Sequence, residues 1–523
     1  MNQKTNKKII SGTLILSIAA IISKVLSAVY RIPLENFVGN VGFYIYQQVY
    51  PIYGIGVAFA LTGLPAFISK LIVERDTEEA KQTLFFQIMV ILTIITVVIF
   101  AGLQLFSSEI ATLMGDLELK PVIQAVSWMF LLMPLLADIR GYYQSSMQMI
   151  PTATSQVVEQ VVRVAMIIVV AYLAAAQHWN LYHMGTLAML SAPVAAVFAA
   201  VILLGQSHHL FRHFHLADLK FNYVTLTKQI VLEGGVLSIL AALMVLMQLV
   251  DSFTVKNGLV ASGLSNLVAQ TQKGIYDRAQ PIVQLGLVIG TAISSTVLPQ
   301  MAYYYHTGKE KSFKTLVKHS MRITLVVTMA VTFGLISIMP QLNHLLFGSY
   351  DLDLTLAIYC LSILFATMVT AFNSVLQSIN NFKSTAVAIF GGLLCKLALT
   401  RIFVVHFGIM GASLSTIIAL AVVLLVNWYT SPKQVHEHIF RVDFLIKVAA
   451  ISIVMMIVIG LLGWLLNYYL GNGSRLMDIV KLMVVIPVGA IVFLGMCLKG
   501  KVLSASELEM IPILNRFVGD KIK

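Results

Sequence analysis

The chain has 523 residues, 58% of them hydrophobic and 11% charged. That balance excludes a sizeable soluble domain and places the chain among polytopic membrane proteins. The net charge of +12 is no sign of nucleic-acid binding, because no soluble basic domain is present to host it.

At about 20 apolar residues per span, the fold class expected is an all-α polytopic membrane protein with about 14 transmembrane helices. The spans centre near 9–31, 42–70, 84–106, 122–142, 153–176, 184–205, 228–252, 281–303, 316–340, 354–378, 384–406, 410–430, 445–469 and 478–498. With the N-terminus in the cytoplasm, about 24 Lys and Arg residues fall in inside segments and about six outside, as the positive-inside rule requires. Lys309, Lys311, Lys314 and Lys318 and the tail lysines carry much of that bias. Both termini are therefore expected in the cytoplasm, with the protein multi-pass in a plasma membrane.

The first span holds Lys24, a cation in an otherwise apolar run from Ile9 to Tyr30. The run is too long for a signal-peptide core and reads as a retained helix. An ammonium near the bilayer interior costs at least ~2.5 kcal/mol, so it is expected to face protein or water. Arg31 follows almost two turns later, on nearly the same face and roughly 10 Å along the axis. A wall of that sign expects an anionic passenger. In the second span Gly54, Gly56, Gly63 and Pro65 permit close helix approach or bending, as do Gly286, Gly290, Gly391 and Gly392 later on.

On the fifth span Glu159 and Arg163 stand four residues apart, the spacing of an intrahelical ion pair; a cavity-lining role is the alternative. The loop from His208 to His215 is rich in histidine, but it has no accompanying cysteine or carboxylate at ligand spacing, so no metal is expected. Glu233 and Asp251 bracket the seventh span and are the candidates for coupling an ion. Asp277 and Arg278 open the eighth, where interface anchoring is equally in character. On the eleventh, Lys396 and Arg401 add positive charge, with Arg401 near enough to an end to snorkel. Cys360, Cys395 and Cys497 read as small apolar packing residues. After the last span Ser504 and Glu507 have capping-box spacing ahead of apolar Leu508, Ile511, Leu514 and Val518, which predicts a short surface helix.

One stretch repeats. Gln144-Ser145, Thr152-Ala153 and Arg163-Val164-Ala165 overlay Gln377-Ser378, Thr385-Ala386 and Lys396-Leu397-Ala398 at constant offset. The repeat unit is six helices, which predicts a pseudo-twofold along the membrane normal. The expected organisation is an N-lobe over 1–205, a C-lobe over 206–430, and two further helices with a short tail over 431–523. No nucleophile elbow, Walker loop, HExxH or paired catalytic carboxylates occur, so no enzyme and no cofactor is expected.

Ser23-Lys24-Val25-Leu26, Gly63-Leu64-Pro65 with Ser69-Lys70, and Arg140-Gly141-Tyr142-Tyr143-Gln144 running into Pro151-Thr152-Ala153, Glu159-Gln160 and Arg163 carry a family likeness. So do Tyr276-Asp277-Arg278 with Gly286, Gly290 and Leu298-Pro299, and His406-Phe407-Gly408-Ile409-Met410-Gly411-Ala412. In order and spacing they resemble the polysaccharide-transport branch of the multidrug/oligosaccharidyl-lipid/polysaccharide (MOP) flippase superfamily. Within it the likeness is to the group holding stage V sporulation protein B and the lipid II flippases. The resemblance implies a MATE- and MurJ-like two-lobed bundle working by alternating access in a bacterial membrane. It implies a cationic cavity for the diphosphate of an undecaprenyl-linked sugar such as lipid II, and a groove on the last two helices for its tail. Lys24 matches the family's first-span basic position and Arg278 its eighth-span one. Tyr30 stands where a second first-span cation is expected, with Arg31 one position later, and the second-span cation of lipid II flippases has no counterpart. Expected partners are the lipid-linked oligosaccharide, membrane lipids and cell-wall synthesis enzymes. The rival classes are a drug/cation antiporter, which should carry carboxylates where Lys24 and Arg31 stand, and a non-transporting accessory subunit of a wall-synthesis complex.

Overall fold

A computed structural model describes residues 3–207, 210, 223–432, 442–471, 473–504 and 507, and every regular element among them is helical. Among the described residues thirteen helical stretches are long and apolar enough to cross a membrane. The first two expected spans run on as one stretch, Ile18–Val73. The seventh is longer than expected and breaks at Ala242 into two stretches, Tyr223–Ala241 and Leu243–Ala261. The eighth forms the helix Ala279–His306, which is not among the thirteen.

Two compact units divide the chain: Met1–Asp277 with Thr400–Ile409, and Arg278–Leu399 with Met410–Lys523. In the first unit α1 (Gln3–Val29) leads through Tyr30 into α2 (Arg31–Val57). Inside α2 the chain turns at Gly39, whose φ of 69° and ψ of −178° suit a residue without a Cβ. A π-helical turn (Ala58–Gly63) joins α2 to α3 (Leu64–Val73). Then come α4 (Glu78–Leu105), α5 (Ser107–Leu113), α6 (Lys120–Ser127), α7 (Met133–Ser145), α8 (Met149–Ala176) and α9 (Leu181–Ser207). The unit continues with α10 (Tyr223–Gln229), a second π-turn (Ile230–Gly234), α11 (Gly235–Ala241), α12 (Leu243–Ala261) and α13 (Asn266–Asp277).

Small residues set the closest pairings. On α9, Ala188, Ala192, Ala195, Ala196 and Ala199 are buried, and this helix lies along α8. Without a hydrophobic drive between helices in lipid, short side chains allow the approach that dispersion requires. Two apolar clusters result. One gathers Phe43, Ile45, Val49, Met129, Ile167 and Met184; the other gathers Phe67, Ile68, Phe85, Ala137, Ile139 and Leu203. At Gly63 a Cβ would stand 2.3 Å from the Ser238 Cα. Gly63→Ala is therefore expected to force the π-turn and α11 apart at a cost of about 1–3 kcal/mol, read as a lower unfolding temperature in detergent. Gly391, by contrast, has open space at its Cβ position.

The second unit holds α14 (Ala279–His306), α15 (Glu310–Phe347), α16 (Asp353–Tyr359), α17 (Leu361–Ser378), α18 (Phe382–Phe407, from Thr400 on in the first unit), α19 (Met410–Thr430), α20 (Val442–Leu470) and α21 (Arg475–Lys499). The last two helices pack on α15 through Val326, Ile338, Val448, Met455, Leu482 and Val485. A buried polar joint pins α21 to the end of α15: His344 Nδ1 meets Asp478 Oδ2, and Lys481 donates to the Gly471 carbonyl at 2.8 Å. The capping contact foreseen at Ser504 is made, its N–H donating to Glu507 at 2.7 Å, while Arg322 reaches Glu507 at 3.0 Å. The remainder of that expected helix lies outside the described residues, as does the histidine-rich loop except for Leu210.

The repeat seen in sequence recurs in backbone geometry. Met147 and Asn380, at equivalent positions, both have φ of 56°. Each turn is closed the same way: Met147 N–H to Gln144 O and Gln148 N–H to Tyr143 O, then Asn380 N–H to Gln377 O and Asn381 N–H to Leu376 O.

A candidate cationic site in the first unit

The sequence places Lys24 and Arg31 on nearly the same face, and the structure separates their surroundings. On α1, Ala19, Ser23 and Ser27 are buried, while Ile15, Ile18, Ile22, Val25 and Val29 are exposed. At about 100° per residue, Lys24 belongs to neither stripe. It lies on the flank between Ser23 and the fully buried Ala28, with its side chain exposed. It has no ion-pair partner among the described residues.

Arg31 is buried, at 1% exposure. Its guanidinium lies 4.2 Å from the Tyr50 ring centroid and 6.0 Å from that of Tyr30. Arg163 is as deeply buried and sits 4.0 Å from the Tyr53 centroid and 5.0 Å from that of Tyr30. The two cations thus share Tyr30, and Tyr46, Tyr50 and Tyr53 follow one face of α2 at spacings of four and three. The cage is braced by Tyr30 Oη against Tyr46 Oη at 2.7 Å and by Gln160 donating to Tyr53 Oη at 3.2 Å. Ring faces attract a cation more strongly where water is excluded. Among the described residues neither arginine has a carboxylate partner, and Arg31 Nε, Arg163 Nε and Arg163 Nη2 have no hydrogen-bond acceptor.

The expected Glu159–Arg163 pair is not made. Glu159 instead accepts from Arg140 Nη2 at 2.7 Å, across from α8 to α7. Arg140 also donates from Nε to Ser155 Oγ at 3.1 Å and from Nη1 to the Ala60 carbonyl at 3.3 Å, in the first π-turn. A π-turn shifts the i→i+4 ladder and leaves a carbonyl for an outside donor, and Arg140 supplies it. Four residues put Glu159 within reach of Arg163, but the tertiary partner wins because it satisfies three acceptors at once. The equivalent positions of the second unit, Asn373 and Gly392, carry no charges.

Glu233 lies apart from the cage in an exposed pair with Lys70 at 3.1 Å. Asp251, buried on α12, accepts from Tyr276 Oη at 3.4 Å. Next to Tyr276, Lys273 grips both oxygens of Asp277 at 2.6 Å, an ion pair that the sequence reading missed although its i,i+4 spacing was visible. In the second unit Arg278 caps α14, donating to Ser349 Oγ at 2.6 Å with its guanidinium 5.1 Å from the Phe347 centroid. Lys396 is fully buried and donates to Thr416 Oγ1 at 2.5 Å, whereas Arg401 is exposed. Among the described residues no cluster of His, Cys, Asp or Glu could hold a metal.

The family described as "Polysaccharide biosynthesis protein" matches residues 9–305. The uncharacterized membrane protein YabM of Bacillus subtilis (strain 168) is 31% identical over 96% of this chain and 94% of its own. The lipid II flippase MurJ of the same organism is 23% identical over 94% and 95%. Among solved structures, a lipid II flippase MurJ in an inward closed conformation superposes with a TM-score of 0.71 at 15% identity, covering 98% of this chain and 100% of that one. Members of this family are flippases and transporters rather than enzymes, and the solved flippase shares the all-helical fold described above. The chain belongs to the polysaccharide biosynthesis protein family, a flippase branch of the MOP superfamily.

Proposed function

We propose that this protein moves an undecaprenyl-diphosphate-linked sugar precursor of the cell envelope from the inner to the outer leaflet by alternating access. The observation that carries the reading is the pair Arg31 and Arg163, two buried guanidiniums held on tyrosine faces with free N–H groups and no carboxylate. A diphosphate is the least lipid-soluble part of such a passenger, and charge-assisted contacts to fixed cations replace its lost hydration. Lys24, exposed on the flank of α1, meets the anion first. Arg31 and Arg163 engage it when α1, α2 and α8 part around Tyr30. Because the guanidiniums close back onto rings rather than onto carboxylates, the passenger competes only with cation–π contacts of about 1–2 kcal/mol, so it is bound without being trapped.

A cation antiporter would meet the opposite field: Glu159, beside the cage, is neutralised by Arg140, and Asp277 by Lys273. Arg278 and Lys396 serve the passenger in the second unit. Lipid II is the first passenger to test. In a bacterium whose own lipid II flippases are switched off, expression of this chain should restore lipid II on the outer leaflet. An inserted protein that fails to do so removes lipid II and leaves another undecaprenyl-linked glycan.

A further inference from the structure

Asp138, on α7, has no accessible surface, and neither of its carboxyl oxygens has a hydrogen-bond partner. Around it α7 packs on α3, α4, α8, α9 and the first π-turn. The charged groups on those elements are engaged elsewhere. Lys70 pairs with Glu233, Glu78 with Lys81, and Glu159 with Arg140, while Arg163 lies on tyrosine rings. Glu79 and His183 are exposed. Of the phenols, Tyr142 donates to Glu78, Tyr143 to the Gln206 carbonyl and Tyr182 to Asp116. An ionised carboxylate there would have neither a cation nor a donor in place of water, which buried charges require.

We propose that Asp138 is a proton-binding site of the transport cycle: its carboxyl carries a proton while α7 is seated as described, and releases it when α7 moves and admits water. Asp138 stands two residues from Arg140 on the same short helix. Arg140 ties α7 to Ala60 of the π-turn and to Glu159, one turn from Arg163. A movement of α7 that bares Asp138 therefore also disturbs the contacts that seat the cationic cage. Proton release and loosening of the cage belong to one motion. The link to transport rests on the function proposed above; the protonation itself does not.

The test needs no passenger. In nanodiscs, the wild-type protein should show a buried carboxylic-acid carbonyl band in the infrared at neutral pH that is missing from Asp138→Asn. Hydrogen–deuterium exchange of residues 133–145, corrected for intrinsic base catalysis, should report the opening of α7. One proton released per opening raises the opening constant about tenfold per pH unit. Asp138→Asn should flatten that slope and Asp138→Glu should keep it. Asp138→Leu, branched at the same carbon though larger, and without a titrating group, serves as a second flat variant should the amide fold poorly. Absence of the band in the wild type, or the same slope in the non-titrating variants, overturns the proposal. A protein that moves no lipid-linked sugar but shows band and slope overturns only the flippase reading.

Discussion

Arg140→Met is expected to be the most destabilising single substitution in the first unit. It strands Glu159, 4% exposed, in the helix bundle, with Arg163 four residues on still seated on tyrosine rings. Breaking one side of a buried pair costs about 3–5 kcal/mol, whereas replacing both partners by apolar residues is often neutral. The thermal midpoint in detergent should fall steeply in Arg140→Met and recover largely in Arg140→Met/Glu159→Leu. The recovery should stop short of the parent, because the Ala60 carbonyl in the π-turn still lacks its donor. Equal midpoints for the single and double variants would contradict this assignment of the pair.

Lys24→Ala should suppress transport while leaving the protein inserted and folded. The side chain is exposed and has no ion-pair partner among the described residues, so its removal breaks no ion pair there. A charge-assisted bond to phosphate contributes about 1.5–3 kcal/mol, so initial rates should fall more than tenfold, and Lys24→Arg should retain much of the activity. Glu233→Gln is the control: it removes an exposed ion pair worth at most about 1 kcal/mol and should leave stability almost unchanged.

Much of the fold was legible because lipid imposes a length and a composition on each crossing. The turn at Met147 and its twin at Asn380 were legible too, through the repeat that runs past them into Arg163 and Lys396. The break at Ala242 was not, since an apolar run of that length reads as one span whether or not its backbone bends. Within the site, Lys24 and Arg31 stood out because charge is rare at that depth. The partner of Glu159 did not. Helical spacing says which neighbours a side chain can reach, and Arg163 was the nearest in sequence; Arg140 came from another helix, near a span end where a cation reads as an anchor. The tyrosines of α2 were hidden for a related reason. Tyr46, Tyr50 and Tyr53 have the composition of an interfacial belt, and only the fold turns their faces toward two arginines. Asp138 was passed over in the same way, four residues from the end of an expected span.

The most direct measurement is flipping in proteoliposomes. A fluorescent undecaprenyl-diphosphate disaccharide is placed in both leaflets, and its exchange is followed by leaflet-selective quenching alongside an undecaprenol-linked disaccharide without phosphate. The parent protein should move the diphosphate lipid and not the neutral one, and Lys24→Ala and Arg163→Met should each suppress that movement. Equal movement of both lipids, or full activity in both variants, would contradict a passenger recognised through its diphosphate by the cations of the first unit.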